Sequence, residues 1–140
     1  SGTHHQQAMS QAVFEACAQA NVQATLPASN WFHWPKGRLW FSAVPRRNER
    51  ITHTDEYQRM NLRDFKPAWD FVEQMFNTEL AQRGIQNIPQ PAHTLTDLGF
   101  TKRSFGADRV DPKTGSPDVS HMNPAYGVEM WTAFLERAVA

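Results

Sequence analysis

The chain has 140 residues, enough for one domain with a buried core, and its fourteen basic residues balance fourteen acidic ones. Zero net charge does not favour binding to nucleic acid or to an anionic membrane surface, and no apolar run is long enough to span a membrane. The glycines form no phosphate-binding loop, which argues against dinucleotide or ATP binding, and one cysteine excludes an intrachain disulfide. Composition calls for no cofactor and specifies no cellular compartment.

The first predicted element is an amphipathic helix over residues 6–21. Apolar residues, Val13 and Cys17 among them, recur there at three- and four-residue intervals. On the apolar side of such a helix, Cys17 is expected to be a small buried hydrophobic residue. Residues 22–26 then favour a short strand that ends at Pro27.

An aromatic segment follows in residues 29–38, too irregular for a helix or a strand. It contains Trp31, His33 and Trp34. Such side chains either belong to the core or form a pocket wall that stacks on a sugar or an acyl group. The second alternative makes these three residues candidates for substrate binding.

Two strands and a long helix occupy the middle of the chain. Residues 38–44 favour a strand closed by Pro45, and residues 63–83 carry a long apolar stripe at helical spacing. Gly84 is expected to cap this helix, and residues 85–88 favour a second brief strand.

A basic cluster lies directly after the first of these strands. It consists of Arg46, Arg47 and Arg50. A short run of this kind is typical of a solvated loop, and the alternative is a contact with an anionic substrate.

The last predicted helix begins near Asn123, a plausible N-cap, with Pro124 at the first helical position. Asp118 and His121 fall on the loop just before it. A histidine beside a carboxylate can act as a general base whose tautomer the carboxylate fixes. The same spacing also suits a capping or turn arrangement without chemistry.

The segment Asp118-Val119-Ser120-His121-Met122-Asn123-Pro124-Ala125-Tyr126-Gly127, followed by Met130 and Phe134, resembles the final block of SGNH/GDSL-type hydrolases. The resemblance implies an α/β fold, a compact three-layer parallel sheet with flanking helices over residues 1–140. It also implies that His121 is the general base, that Asp118 orients it, and that the reaction is ester hydrolysis or acyl transfer on a sugar or lipid.

The start of the chain is similar to the family's Gly-Asp-Ser nucleophile block, but it departs from the pattern. In Gly2-Thr3-His4-His5, Thr3 replaces the aspartate and His4 replaces the nucleophilic serine. Three interpretations follow. The domain binds a glycan or acyl group without catalysis; Ser1 or Thr3 supplies the hydroxyl; or His4 and His5 join His121 and Asp118 around a metal ion.

On the resemblance, Gly2, His4 and His5 belong with the substrate-binding residues, and the partner is a small-molecule or glycan ester. The family places a strand before its nucleophile turn, whereas this chain opens with a helix. Either residues 1–140 are the C-terminal part of a longer parent, or another chain or segment completes the sheet, or the resemblance fails.

Overall fold

The computed structural model describes residues 11–26, 39–42 and 44–140. Its α-helices and strands are α1 (Gln11–Thr25), β1 (Trp40–Ser42), α2 (Asp55–Gln58), α3 (Phe65–Gln82), β2 (Gln86–Ile88) and α4 (Pro124–Ala138). Short 3-10 turns connect them, at Glu49–His53, Leu62–Asp64, Ala92–Thr94 and Arg103–Phe105. The fold is therefore a mixture of helix and strand.

The predicted strand over residues 22–26 is wrong, because α1 continues to Thr25. Ala18, Val22 and Leu26 are spaced by four residues and all three are buried, so they form one helical face. Cys17 is exposed, which corrects its expected burial. It lies one residue, or about 100°, away from the buried face.

The long predicted helix and the glycine at its end are confirmed. The Asn61 side chain accepts a hydrogen bond from the Arg63 backbone N–H in the 3-10 turn that leads into α3. Pro67 occupies the first turn of α3, where its missing N–H removes no helical hydrogen bond. At the other end Gly84 has φ 69°, a left-handed conformation that glycine adopts without strain.

The two predicted strands pair in parallel, and α3 forms part of the connection between them. The register joins Trp40 to Gln86 and Ser42 to Ile88. A parallel pair requires a long crossover, which a helix supplies. Within the described residues the sheet consists of these two parallel strands, which is compatible with an α/β fold and does not show the three-layer arrangement expected from the resemblance.

The core lies between α1, α3 and the sheet. Val22, Leu26, Leu80 and Ile85 are its buried centre, and Phe41 packs against them. A second packed region surrounds Phe100, whose ring stacks on Phe65 with centroids 3.9 Å apart. None of the helices in the described part of the chain is long and apolar enough to cross a membrane.

Candidate functional site

The start of α4 is fixed by Asn123, as predicted. Its Oδ1 accepts a hydrogen bond from the Tyr126 backbone N–H at 3.1 Å, and Pro124 occupies the first turn. Asn123 Nδ2 donates to the Ser104 carbonyl oxygen at 2.7 Å. One side chain thus caps the helix and ties it to the 3-10 turn Arg103–Phe105.

Asp118 and His121 are in direct contact immediately before this helix. Asp118 Oδ2 lies 2.8 Å from His121 Nδ1. The other carboxylate oxygen, Oδ1, accepts hydrogen bonds from the backbone N–H groups of Ser120 at 3.1 Å and His121 at 3.0 Å. The turn arrangement and the carboxylate–imidazole pair, which were alternatives in the sequence, are therefore present together.

The electrostatics of the pair keep Asp118 ionised at neutral pH. The backbone hydrogen bond from His121 is the largest influence that lowers the pKa of Asp118, burial opposes it, and the Ser120 backbone and the His121 ring lower it further. An ionised carboxylate only accepts hydrogen bonds, so His121 Nδ1 must donate. In the neutral imidazole Nε2 is then the free base.

His121 Nε2 has no hydrogen-bond partner within the described residues, and the His121 side chain is 69% exposed. A base with a fixed tautomer and an unoccupied acceptor nitrogen can take a proton from an incoming hydroxyl or water. This is the chemical capability of the arrangement.

Main-chain hydrogen bonds hold the loop that carries the pair. The Asp118 N–H donates to the Arg109 carbonyl, and the Asn48 N–H donates to the Val119 carbonyl, both at 2.9 Å. The Ala107 N–H donates to the His121 carbonyl, also at 2.9 Å. Neighbouring segments thus fix the backbone on both sides of Ser120.

The basic cluster forms the segment after β1, which is called the basic turn and consists of Arg46, Arg47 and Arg50. It contacts the loop that carries Asp118 and His121. Arg46 is buried and its guanidinium bonds Glu73 at 3.0 and 2.7 Å and Asp70 at 2.7 Å. Burial alone would lower the pKa of Arg46, but the bonds to Glu73 and Asp70 outweigh it and raise the pKa. The next residue, Arg47, is exposed and donates to Ser120 Oγ.

Sequence reasoning did not find these arginine contacts. Arg47 and Ser120 are separated by 73 positions, and Arg46 and Glu73 by 27. The sequence shows that the cluster is basic, but no local pattern distinguishes a buried arginine from its exposed neighbour. Only the tertiary fold assigns the two their different environments.

A second carboxylate–imidazole pair lies on the surface. His93 Nε2 is 2.8 Å from Glu129 Oε2 of α4, and the His93 side chain is 62% exposed. His93 is therefore a surface residue. The Glu129 carboxylate contacts Nε2 of its histidine, whereas the Asp118 carboxylate contacts Nδ1 and also accepts two backbone hydrogen bonds. The His93 pair therefore offers a matched control for the His121 pair.

Eight of the predicted site residues lie outside the described residues: Ser1, Gly2, Thr3, His4, His5, Trp31, His33 and Trp34. Their roles stay predictions. Within the described part of the chain, no group of three histidine, cysteine, aspartate or glutamate side chains could hold a metal ion. The metal alternative depended on His4 and His5.

A cavity of about 540 Å³ lies between α1, β1 and α3. The part of its wall that the structure describes is mainly apolar and includes the rings of Phe14, Phe41, Trp69 and Phe76. Exposed Cys17 is also on this wall. Apolar walls of this kind suit an acyl or other hydrocarbon group better than a sugar.

Comparison with known proteins leaves the family open. No family model, no curated protein and no solved structure matches this chain. The resemblance to SGNH/GDSL hydrolases therefore rests on the residues quoted above.

Proposed function

We propose that the chain is an SGNH-like hydrolase or acyl-transfer domain that acts on an ester of a sugar or lipid. The observation that carries the proposal is the 2.8 Å contact between Asp118 Oδ2 and His121 Nδ1, which leaves Nε2 without a partner within the described residues. His121 is the general base in this proposal, and Asp118 orients its ring and stabilises the imidazolium that forms.

The nucleophile in this proposal is the hydroxyl of Ser1 or Thr3. Its oxygen attacks the ester carbonyl while its proton passes to His121 Nε2, and the same proton then goes to the departing alkoxide. Water, or an acceptor hydroxyl in acyl transfer, releases the acyl group by the reverse proton path. The lowered pKa of Asp118 supports this assignment, since the carboxylate stays charged when the imidazolium forms.

We also infer that β1 and β2 belong to the compact three-layer sheet of that fold. Their parallel pairing, with α3 in the connection, is the arrangement from which such sheets are built. A further strand, from this chain or from another segment, would complete it. A crystal structure in which β1 and β2 were the whole sheet would contradict this part of the proposal.

The decisive experiment compares His121→Ala with His93→Ala. Turnover of 4-nitrophenyl acetate should fall by about 10²- to 10⁴-fold in the first variant, the usual contribution of a general base, and stay unchanged in the second. A fluorophosphonate probe followed by peptide mass analysis should label Ser1 or Thr3 in the wild type and lose that label in His121→Ala. Circular dichroism would verify that both variants are folded.

Equal turnover in wild type and His121→Ala would rule out the assignment of the base. Labelling at a hydroxyl other than that of Ser1 or Thr3 would leave His121 as the assigned base and would assign the nucleophile to the labelled residue.

A second candidate function is acyl binding without catalysis, which the apolar cavity between α1, β1 and α3 favours. A fluorescent fatty acid should then bind saturably, and Cys17→Trp, which adds bulk to the wall, should weaken that binding. Binding that survives in His121→Ala, together with absent turnover in the wild type, would favour this function over hydrolysis.

A further inference from the structure

The three arginines of the basic turn have different partners. Arg46 is buried against two carboxylates, and Arg50 donates to the Ala107 carbonyl at 2.9 Å and lies 3.9 Å from an Asp108 carboxylate oxygen. Arg47, between them, is exposed, and its guanidinium contacts the Ser120 hydroxyl. Arg47 thus contacts a neutral side chain, that of Ser120, whereas Arg46 and Arg50 each pair with a carboxylate.

No carboxylate side chain neutralises Arg47. All fourteen aspartate and glutamate residues of the sequence fall within the described part of the chain, and none of them forms an ion pair with this guanidinium. The nearest carboxylate in sequence to its Ser120 contact, that of Asp118, is already occupied by His121 and two backbone N–H groups. The positive charge of Arg47 is therefore uncompensated beside the pair.

Hydrogen bonds hold the backbone at Arg47 in place even though the Arg47 side chain is exposed. Its carbonyl accepts a hydrogen bond from the Thr101 N–H at 2.9 Å, and the adjacent Arg46 is anchored by Asp70 and Glu73. A guanidinium has five N–H donors, and one hydroxyl uses few of them. The remaining N–H groups can donate two parallel hydrogen bonds to two oxygens of a carboxylate, a sulfate or a phosphate.

We propose that Arg47 is a specificity-determining residue that binds an oxyanion group of the substrate, so that the preferred esters are acidic ones. The proposal rests on the hydrolase function proposed above and narrows its substrate class. Ser120 bonds Arg47 through its side chain and Asp118 through its backbone, and it directly precedes His121. The bound oxyanion is therefore expected to lie close to the ester group whose cleavage His121 assists as the general base.

The kinetic test compares 4-nitrophenyl hemisuccinate with 4-nitrophenyl butyrate, which have similar shapes and differ by one carboxylate. The ratio of their kcat/KM values should favour the hemisuccinate in the wild type. Because charge-assisted hydrogen bonds are strong, the ratio should fall about tenfold or more in Arg47→Gln. Arg47→Glu should invert the preference, and Arg63→Ala, an exposed arginine in the turn before α3, should leave it unchanged.

A binding measurement separates this proposal from the hydrolase function. Sodium succinate, added at constant ionic strength, should shift the amide NMR signals of Ser120 and His121 in the wild type and leave them unmoved in Arg47→Gln. If nothing is hydrolysed but these shifts are found, the hydrolase function fails and the oxyanion site stands. If His121→Ala abolishes turnover while Arg47→Gln keeps the wild-type substrate ratio and the shifts, the oxyanion site is refuted.

Discussion

The buried contact between Arg46 and Glu73 provides a quantitative test of how the basic turn is held. The Arg46 side chain is 3% exposed, and Glu73 receives two of its hydrogen bonds, at 3.0 and 2.7 Å. Glu73→Ala removes both of these bonds and also the acceptor of the Trp69 indole N–H at 3.1 Å. It leaves the guanidinium with one carboxylate, that of Asp70.

The expected loss follows from burial. Removing one partner of a fully buried ion pair costs about 3–5 kcal/mol, since it leaves an uncompensated charge. The Glu73 side chain is 32% exposed, so water can enter, and Asp70 still pairs with the arginine. We therefore expect Glu73→Ala to lower the free energy of unfolding by about 2–3 kcal/mol.

The assay is urea unfolding followed by circular dichroism, with Lys66→Ala as the control. Lys66 pairs with Asp70 on the surface of α3, four residues away, and such exposed pairs contribute about 0.5 kcal/mol or less. Arg46→Met combined with Glu73→Ala should regain part of the lost stability, since no buried charge is left unpaired. A Glu73→Ala cost no larger than that of Lys66→Ala would refute the reasoning.

Three further predictions concern the site and its supports. The lowered pKa of Asp118 contributes stability at pH values above its ordinary pKa of 3.8, and this stability is lost as pH falls through the lowered pKa. In a plot of the unfolding midpoint against pH, Asp118→Asn should therefore show a smaller decrease at acid pH than the wild type. Burial, and then the charge of Glu73, raise the pKa of the Tyr126 hydroxyl from 10.0 to about 12. The free energy of unfolding should therefore fall between these two pH values in the wild type and not in Tyr126→Phe, and absorbance titration at 295 nm checks the pKa. Gly127→Ala in α4 meets no atom within 4 Å and should stabilise by about 0.5–1 kcal/mol, whereas a Cβ at Gly106 would lie 2.5 Å from the Asn48 amide nitrogen and should destabilise; thermal unfolding compares the two.

Features set by neighbouring residues were predictable from the sequence. The start of α4 follows from Asn123 and Pro124, and the end of α3 follows from Gly84, because each acts on its own turn of backbone. The contact between Asp118 and His121 is of the same kind, since three positions separate them. Local chemistry was sufficient for all of these.

Features that depend on packing were not predictable in the same way. Residues 22–26 have the apolar content of a strand, and their helical state becomes evident only when Val22 and Leu26 meet Leu80 and Ile85 in the core. The sequence pattern places Cys17 on the wrong side of α1, because the apolar and polar faces of this alanine-rich helix differ little. The arginine contacts required the tertiary fold.

The backbone frame around Ser120 has a consequence for how this domain can diverge. The bonds from Asn48 and Ala107 to the loop, and the bond from the Asp118 N–H to Arg109, join peptide groups only. Peptide groups do not depend on which side chain a residue carries, provided that it is not proline. Mutation can therefore exchange His121 or Ser120 while the loop keeps its path. Substitutions at these two positions can therefore change the side chains presented at this place without first having to rebuild the scaffold.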